Sequence, residues 1–310
     1  MTHRAMRITA LCGGVGGAKL ALGLQHVASE LTLVVNTGDD FAFNGLPVCP
    51  DIDTVLYTLA GKANATQGWG RADESFSIQN EWRALGEDPW FLLGDKDIAL
   101  HLLRLRGKLA GEPLSKITAD LACRLGVAAR IIPMCEDPSP TTVDTDEGAL
   151  DFQDYFVRRR CEPRVSGIRF GGEGLAAAPD ALAAIASADG LIICPSNPLL
   201  SIAPILALDG MADALRKRTV PALAVSPIVR GSAVKGPTAK IFAELGLEVS
   251  ALSVARQYAG LIDILVIDEH DAPLSDQIAA LGMRPVVAST LMTTLEDRIA
   301  LARTCLGLLG

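Results

Sequence analysis

Seven short aliphatic runs, separated by segments of helical period, constrain this chain more than any other feature. They are Arg7 to Cys12, Leu31 to Val35, Ala129 to Pro133, Gly190 to Cys194, Val220 to Val225, Ile262 to Ile267 and Pro285 to Ala288. Strands buried on both faces need such continuous apolar runs, and the helices between them supply the covering layers. The pattern predicts an α/β fold, Rossmann-like, with a largely parallel sheet. Between the second and third runs the chain reads almost wholly helical, over Thr54 to Ala60, Asp73 to Leu85, Lys96 to Gly107 and Ser115 to Leu125. Ligands of open α/β sheets sit outside the carboxyl ends of the strands, so this insertion at about 54–126 is expected to cap the site. Neither Pro133 to Gly148 nor Gly167 to Pro179 is long or polar enough for a flexible linker, and a single domain over 1–310 is expected.

Composition narrows the function. The net charge is -8, and the longest basic run is Arg158-Arg159-Arg160, which argues against a polyanion-binding surface and so against nucleic acid. At 5% aromatic residues, stacking platforms for single strands are scarce as well. Seven cysteines without a C-x-x-C pair fit reduced thiols in the cytoplasm better than a disulfide framework. No stretch reaches the roughly 18 uninterrupted apolar residues of a membrane span, and Met1 to Met6 is too short and polar to begin a signal peptide. A symmetric homodimer is the default for an enzyme of this kind.

The first chemical motif is Gly13-Gly14-Val15-Gly16-Gly17-Ala18-Lys19, which follows a strand and opens a helix. Glycine lets backbone N–H groups approach a phosphate, the helix N-terminus adds partial positive charge, and Lys19 adds a full one. Leu20 stands where a P-loop places its hydroxyl, which disfavours that class of nucleotidase. Asn36-Thr37 follows the second run, where a dinucleotide fold would show an acid for the ribose, so a nicotinamide-dependent oxidoreductase is disfavoured too.

Asn36-Thr37-Gly38-Asp39-Asp40 and Pro50-Asp51-Ile52-Asp53-Thr54 then place four carboxylates within fifteen residues. They can converge on one hard cation or one hydroxyl, or serve only as helix caps and turn stabilisers. Leu93-Gly94-Asp95-Lys96-Asp97 precedes a helix carrying His101, and a lone helical histidine is more often structural than catalytic, so His101 is given no role. Cys194-Pro195-Ser196-Asn197-Pro198 and Ala224-Val225-Ser226-Pro227 end two neighbouring runs with small polar groups suited to a base, ribose or phosphate. Lys235-Gly236-Pro237-Thr238 offers a further anion contact at a helix start.

Taken in order with Tyr57 and Gly68-Trp69-Gly70, these motifs resemble the 2-phospho-L-lactate transferase family, from about Arg7 to the last helix. The resemblance implies a guanosine-diphosphate-activated phospho-acid as donor and the deazaflavin Fo as acceptor. It also implies GMP and coenzyme F420-0, or its dehydro form, as products, with Mg²⁺ as cofactor. It assigns Fo contacts to Asp53 and Lys96, the latter at a position where many relatives carry Arg, so the charge is kept without the bidentate fork. Within that reading Asp51 and Asp53 are the catalytic candidates, and Asp39, Asp40 and Asp53 the metal candidates. Gly13, Gly14, Gly16, Gly17, Lys19, Asn36, Thr37, Ser196, Asn197 and Ser226 are the candidates for nucleotide and phosphate. The competing reading is a sugar-nucleotide-binding regulator of the gluconeogenesis-factor type, similar in the glycine turn and the Pro195-Ser196-Asn197-Pro198 loop. Trp69, Trp82 and Trp90 in the insertion favour the transferase, because a flat ring needs an apolar wall.

Overall fold

A computed structural model describes residues 6–65, 67, 69–171, 174–233 and 236–310. Gly68 and Lys235 of the motifs above lie outside the described residues. The chain opens with β1 (Arg7–Cys12), α1 (Gly14–Val27) and β2 (Glu30–Val35), then a small hairpin of β3 (Phe41–Phe43) and β4 (Leu46–Val48). The helical insertion follows as α2 (Pro50–Leu59), α3 (Ser77–Ala84), α4 (Asp95–Leu109) and α5 (Leu114–Leu125), returning to the sheet in β5 (Arg130–Pro133). Next come β6 (Thr141–Thr145), β7 (Gly148–Asp151) and β8 (Val165–Phe170), which form a separate antiparallel sheet. The second half supplies β9 (Gly190–Ile193) and β10 (Ala222–Val225), a ribbon of β11 (Ile228–Val229) and β12 (Ser232–Ala233), then β13 (Ile264–Ile267), β14 (Arg284–Val287) and a last helix, Leu295–Leu309.

The seven aliphatic runs read from sequence are the seven strands of the main sheet, in the order β14-β13-β10-β9-β1-β2-β5, and every pairing in it is parallel. Its inner strands are buried on both faces, while the edge strand β14 is partly exposed. Ile8, Ala10 and Cys12 of β1, with Leu223 and Val225 of β10, join a core under α1, α2 and the last helix. Leu11 of β1 and Ala222 and Ala224 of β10 face the opposite core. This strict alternation inside a continuously apolar run is the two-sided burial that a parallel sheet demands.

Strand order reverses between β1 and β9, because the chain runs outward from β1 through β2 to β5 and from β9 through β10 to β14. At such a switch point the loops leaving two adjacent strand ends diverge to opposite faces and open a crevice. Here those loops are the Gly13–Gly17 turn and the Pro195–Asn197 segment.

Candidate active site

The crevice is one cavity of about 570 Å³, walled on one side by strand ends and on the other by the helical insertion. On the strand-end wall, Gly14 takes φ +62°, a left-handed conformation that a side chain disfavours. A Cβ at Gly16 would collide with the Pro195 carbonyl, so the two switch-point loops touch only because this residue is glycine. Gly17 packs in the same way on the Ser196 hydroxyl and does not line the cavity.

Two amides of the turn already have partners. The Gly13 N–H donates to Ser196 Oγ at 3.0 Å, and the Gly14 N–H donates to Asp51 Oδ1 at 2.6 Å. Asp51 thus sits at the N-terminus of α1, where a negative charge is favoured. Its other oxygen accepts from Asn36 Nδ2 at 2.9 Å, and the same amide nitrogen lies 3.4 Å from Asp39 Oδ1. Asn36 is thereby fixed as a bracket between two carboxylates, its own oxygen accepting from the Gly38 N–H at 2.9 Å.

Burial pushes the Asp51 carboxyl up, against the bonds from Asn36 and Gly14. Burial pushes Asp39 up more strongly, and the charges of Asp51 and Asp40 add to the rise. Lys19 lines the cavity beside them, and its ammonium donates to the Met292 carbonyl at 2.9 Å.

The opposite wall belongs to α2 and α4. Asp53 and Tyr57 are four residues apart on α2, and Asp97 and His101 four apart on α4, so each helix presents a carboxylate and a ring on one face. All four line the cavity. Behind them Arg104, fully buried, closes a guanidinium fork on both oxygens of Asp53, with Nη1 at 3.2 Å from Oδ2. The same Nη1 lies 3.1 Å from the Pro47 carbonyl and 3.0 Å from His101 Nδ1. Burial pushes Asp97 up to about 6, the Tyr57 hydroxyl opposing the rise and the Asp53 charge adding to it. Burial pushes His101 down to about 4.

Aromatic side chains complete this side. Phe41 and Phe43 of β3 meet Trp90 and Phe91 at centroid distances of 4.8–6.1 Å, and Trp82 braces Phe43 edge-on from behind. Trp69, Trp90 and Phe91 face the cavity, as do Phe152 and Phe156, which stack on each other at 5.4 Å. The last pair comes from a π-helical segment, Asp154–Arg158, and the preceding turn, a backbone irregularity often found at functional sites. Arg158 lies over the Trp90 ring at 5.8 Å, joining this segment to the insertion.

Of the residues singled out from sequence, Gly13, Gly14, Gly16, Lys19, Asn36, Asp39, Asp51, Asp53, Ser196, Asn197 and Ser226 meet in this one cavity. Thr37 turns away to Ser139 and Cys135. Asp40 is half-buried outside the cavity lining, its carboxyl pushed up by loss of solvent, with Cys49 as its side-chain partner. Lys96 is outside the lining too, its ammonium donating to the Asp73 carbonyl. Asp39, Asp40 and Asp53 are not gathered as one ligand set, and among the described residues no group of three or more His, Cys, Asp or Glu is placed to hold a metal ion. No helix of the described residues is long and apolar enough to cross a membrane.

Sequence reasoning set His101 aside and missed Arg104, Gln153, Phe152 and Phe156. The signal for the first two was present: Asp97, His101 and Arg104 recur at i, i+4, i+7, a polar stripe on one face of a leucine-rich helix. Gln153, whose Nε2 donates to the Asp39 carbonyl at 3.1 Å, belongs to a stretch with no such period.

Known proteins share this architecture and this sequence. A member of the UPF0052 family from Bacillus halodurans superposes with TM-score 0.63 at 14% identity, covering 98% of this chain and 99% of that one, a likeness of fold. A phosphoenolpyruvate transferase of Streptomyces griseus is 41% identical over 98% of both chains, and a 2-phospho-L-lactate transferase of Methanosarcina barkeri is 38% identical over 96% of both. The family model described as 2-phospho-L-lactate transferase CofD matches residues 8–295. With the glycine turn, the paired aspartates and the two switch-point loops all inside the matched span, the chain belongs to the 2-phospho-L-lactate transferase CofD family.

Proposed function

We propose that this enzyme moves the phospho-acid half of a guanosine-diphosphate-activated donor onto the terminal hydroxyl of the deazaflavin Fo. GMP is released and coenzyme F420-0, or its dehydro form, is made. The observation that carries the reading is the division of one cavity into a polar strand-end wall for phosphates and an aromatic wall for a flat ring. Relatives at 41% and 38% identity are named as transferases, which favours turnover over a purely regulatory nucleotide binder.

The residues present fit a Mg²⁺ ion in its commonest protein setting, one or two carboxylates with substrate phosphates completing the sphere. Asp39 and Asp51 are the pair, bracketed by one Asn36 amide and held in a buried setting that disfavours two unneutralised charges. When bound, the ion supplies neutralisation of the diphosphate charge.

The chain's own groups do the rest. The turn amides beyond Gly14, which an α-helix leaves without internal partners, and Lys19 hold the diphosphate. Asp53, fixed by the Arg104 fork, accepts a hydrogen bond from the attacking hydroxyl and orients it. The hydroxyl oxygen bonds to the phosphorus that bears the acid, the bond from that phosphorus to the GMP oxygen breaks, and the hydroxyl proton passes to a carboxylate of this wall. Asp97, raised to about 6, is matched to accept it near neutral pH.

The test is a mass-spectrometric assay of the protein with Fo, Mg²⁺ and the guanylated forms of phospholactate, phosphoenolpyruvate and phosphoglycerate in turn. GMP and a phosphodiester of Fo with one donor are expected. Tight nucleotide binding with no product from any donor would leave the regulatory reading standing instead.

A further inference from the structure

We propose that the Thr54 hydroxyl holds the hydroxylated chain that joins the flat ring of the acceptor substrate to its reacting hydroxyl. The proposal rests on the two-substrate reading of the cavity and gives that reading a further binding residue.

The argument starts from α2, which reaches both walls. Asp51 in its first turn receives the Gly14 N–H of the strand-end wall, and Tyr57, further along, stands with the insertion wall. Thr54 falls midway, three residues from each, which along the helix axis is about 4.5 Å either way. Residues at this spacing share a helix face, and all three line the cavity. A ligand that spans the two walls passes Thr54.

Its hydroxyl is reachable and uncommitted. Asp51 and Tyr57 are 7% and 2% exposed, whereas Thr54 between them is only half-buried, and its open surface borders the cavity. A threonine within a helix can donate back to the carbonyl four residues earlier, as Thr304 Oγ1 does to Ala300 at 3.1 Å. Thr54 makes no such bond, and among the described residues its side chain has no other hydrogen-bond partner. Helix preference does not account for a β-branched residue at this position either.

Neighbours decide what the hydroxyl takes. The charged groups beside it on α2 are the carboxylates of Asp51 and Asp53, which repel a phosphate oxygen. A chain hydroxyl is neutral and, like that of Thr54, both donates and accepts, so the pair forms whichever way the protons turn. Asp53, which receives the reacting hydroxyl, is the adjacent residue, and this brings the neighbouring hydroxyls of the chain to Thr54.

The test titrates three probes into wild-type protein, Thr54→Val and Thr54→Ser: Fo, a deazaflavin carrying methyl in place of the hydroxylated chain, and GDP with Mg²⁺. Val keeps the branched shape and loses the hydroxyl, whereas Ser keeps the hydroxyl. Expected is an Fo dissociation constant about tenfold weaker in Thr54→Val, the scale of one neutral hydrogen bond, with most of the loss recovered in Thr54→Ser. The methyl analogue and GDP should bind both variants as they bind wild type, and an analogue too weak to measure in wild type assigns the affinity to the chain itself. An analogue weakened as much as Fo places the contact on the ring, and a weakened GDP places it on the diphosphate; either result, or no weakening of Fo, overturns the proposal and leaves the transferase reading in place. Should Thr54→Val fail to fold, Thr54→Ala removes the same hydroxyl and is read in the same way. Wild-type protein that binds no Fo at all overturns the two-substrate reading and this proposal together.

Discussion

On the strand-end wall, Asp39 and Asp51 share one neutral amide, and burial pushes both carboxyls up. On the insertion wall, Asp53 is equally buried yet closed by the Arg104 fork, and its neighbour His101 is held neutral. The same residue type in the same cavity thus meets two different electrostatic solutions. On the insertion wall Asp53 carries its own counter-charge before substrate arrives. The Asp39–Asp51 pair has only a neutral amide between its carboxyls, and in the proposed reaction a cation and phosphates would complete it.

The comparison can be broken most forcefully at Asp51. Asp51→Asn keeps a hydrogen-bonding shape beside Gly14 and removes the charge, so kcat should fall about 10³-fold, the scale of losing one electrostatic contact to a transition state. Its melting temperature should hold or rise, because a buried charge has gone. Steady-state rates and a thermal melt on one preparation check both. On the insertion wall the order of effects reverses. Arg104→Met strands the Asp53 carboxylate without its partner and should cost about 3 kcal/mol of stability, as broken buried pairs do, read from urea unfolding. An Asp51→Asn variant that unfolds, or an Arg104→Met variant as stable as wild type, would erase the distinction between the walls.

Trp90→Ala sharpens it. Loss of this ring should raise KM for Fo about tenfold, in line with the energy of an aromatic contact, and leave KM for the guanylated donor unchanged. Equal changes in both would mean that the two substrates are not divided between the walls.

The smallest effect concerns pH. Asp97 is raised from its ordinary 3.8 to about 6 on folding, chiefly by burial. Between those values the folded chain holds the proton more tightly than the unfolded one, so this group's contribution to stability is present at low pH and is lost as pH rises through about 6. Asp97→Asn should therefore lose less stability than wild type between about pH 4 and about pH 7, measured as the change in urea midpoint.

The sheet was legible because its strands are short runs dominated by aliphatic and β-branched residues, and the seven runs are its seven strands. The hairpin β3–β4 was harder to see, with three residues a side too short for a period. Its signal lay in the Asn44-Gly45 turn, where both residues take positive φ, 48° and 80°, as a two-residue hairpin loop requires. The β6–β8 sheet is not among the strands expected from sequence, because Thr141–Thr145 mixes threonine, valine and aspartate and buries little apolar surface of its own. Insertion helices began where read to within a few residues, α2 starting earlier at Pro50, which places proline in the first turn. Within the site, the glycine turn and Asp51 were visible because strand, turn and helix follow one another locally. Arg104 was not, because its partner Asp53 is 51 residues away and only the fold brings them together.

The most direct measurement is a crystal structure with Fo, GDP and Mg²⁺ present. The account predicts the deazaflavin ring against Trp90 and Phe91, and the diphosphate at the Gly13–Gly17 turn beside Asp39 and Asp51. A deazaflavin ring seated on the glycine turn, or a diphosphate between Asp53 and Asp97, would contradict it.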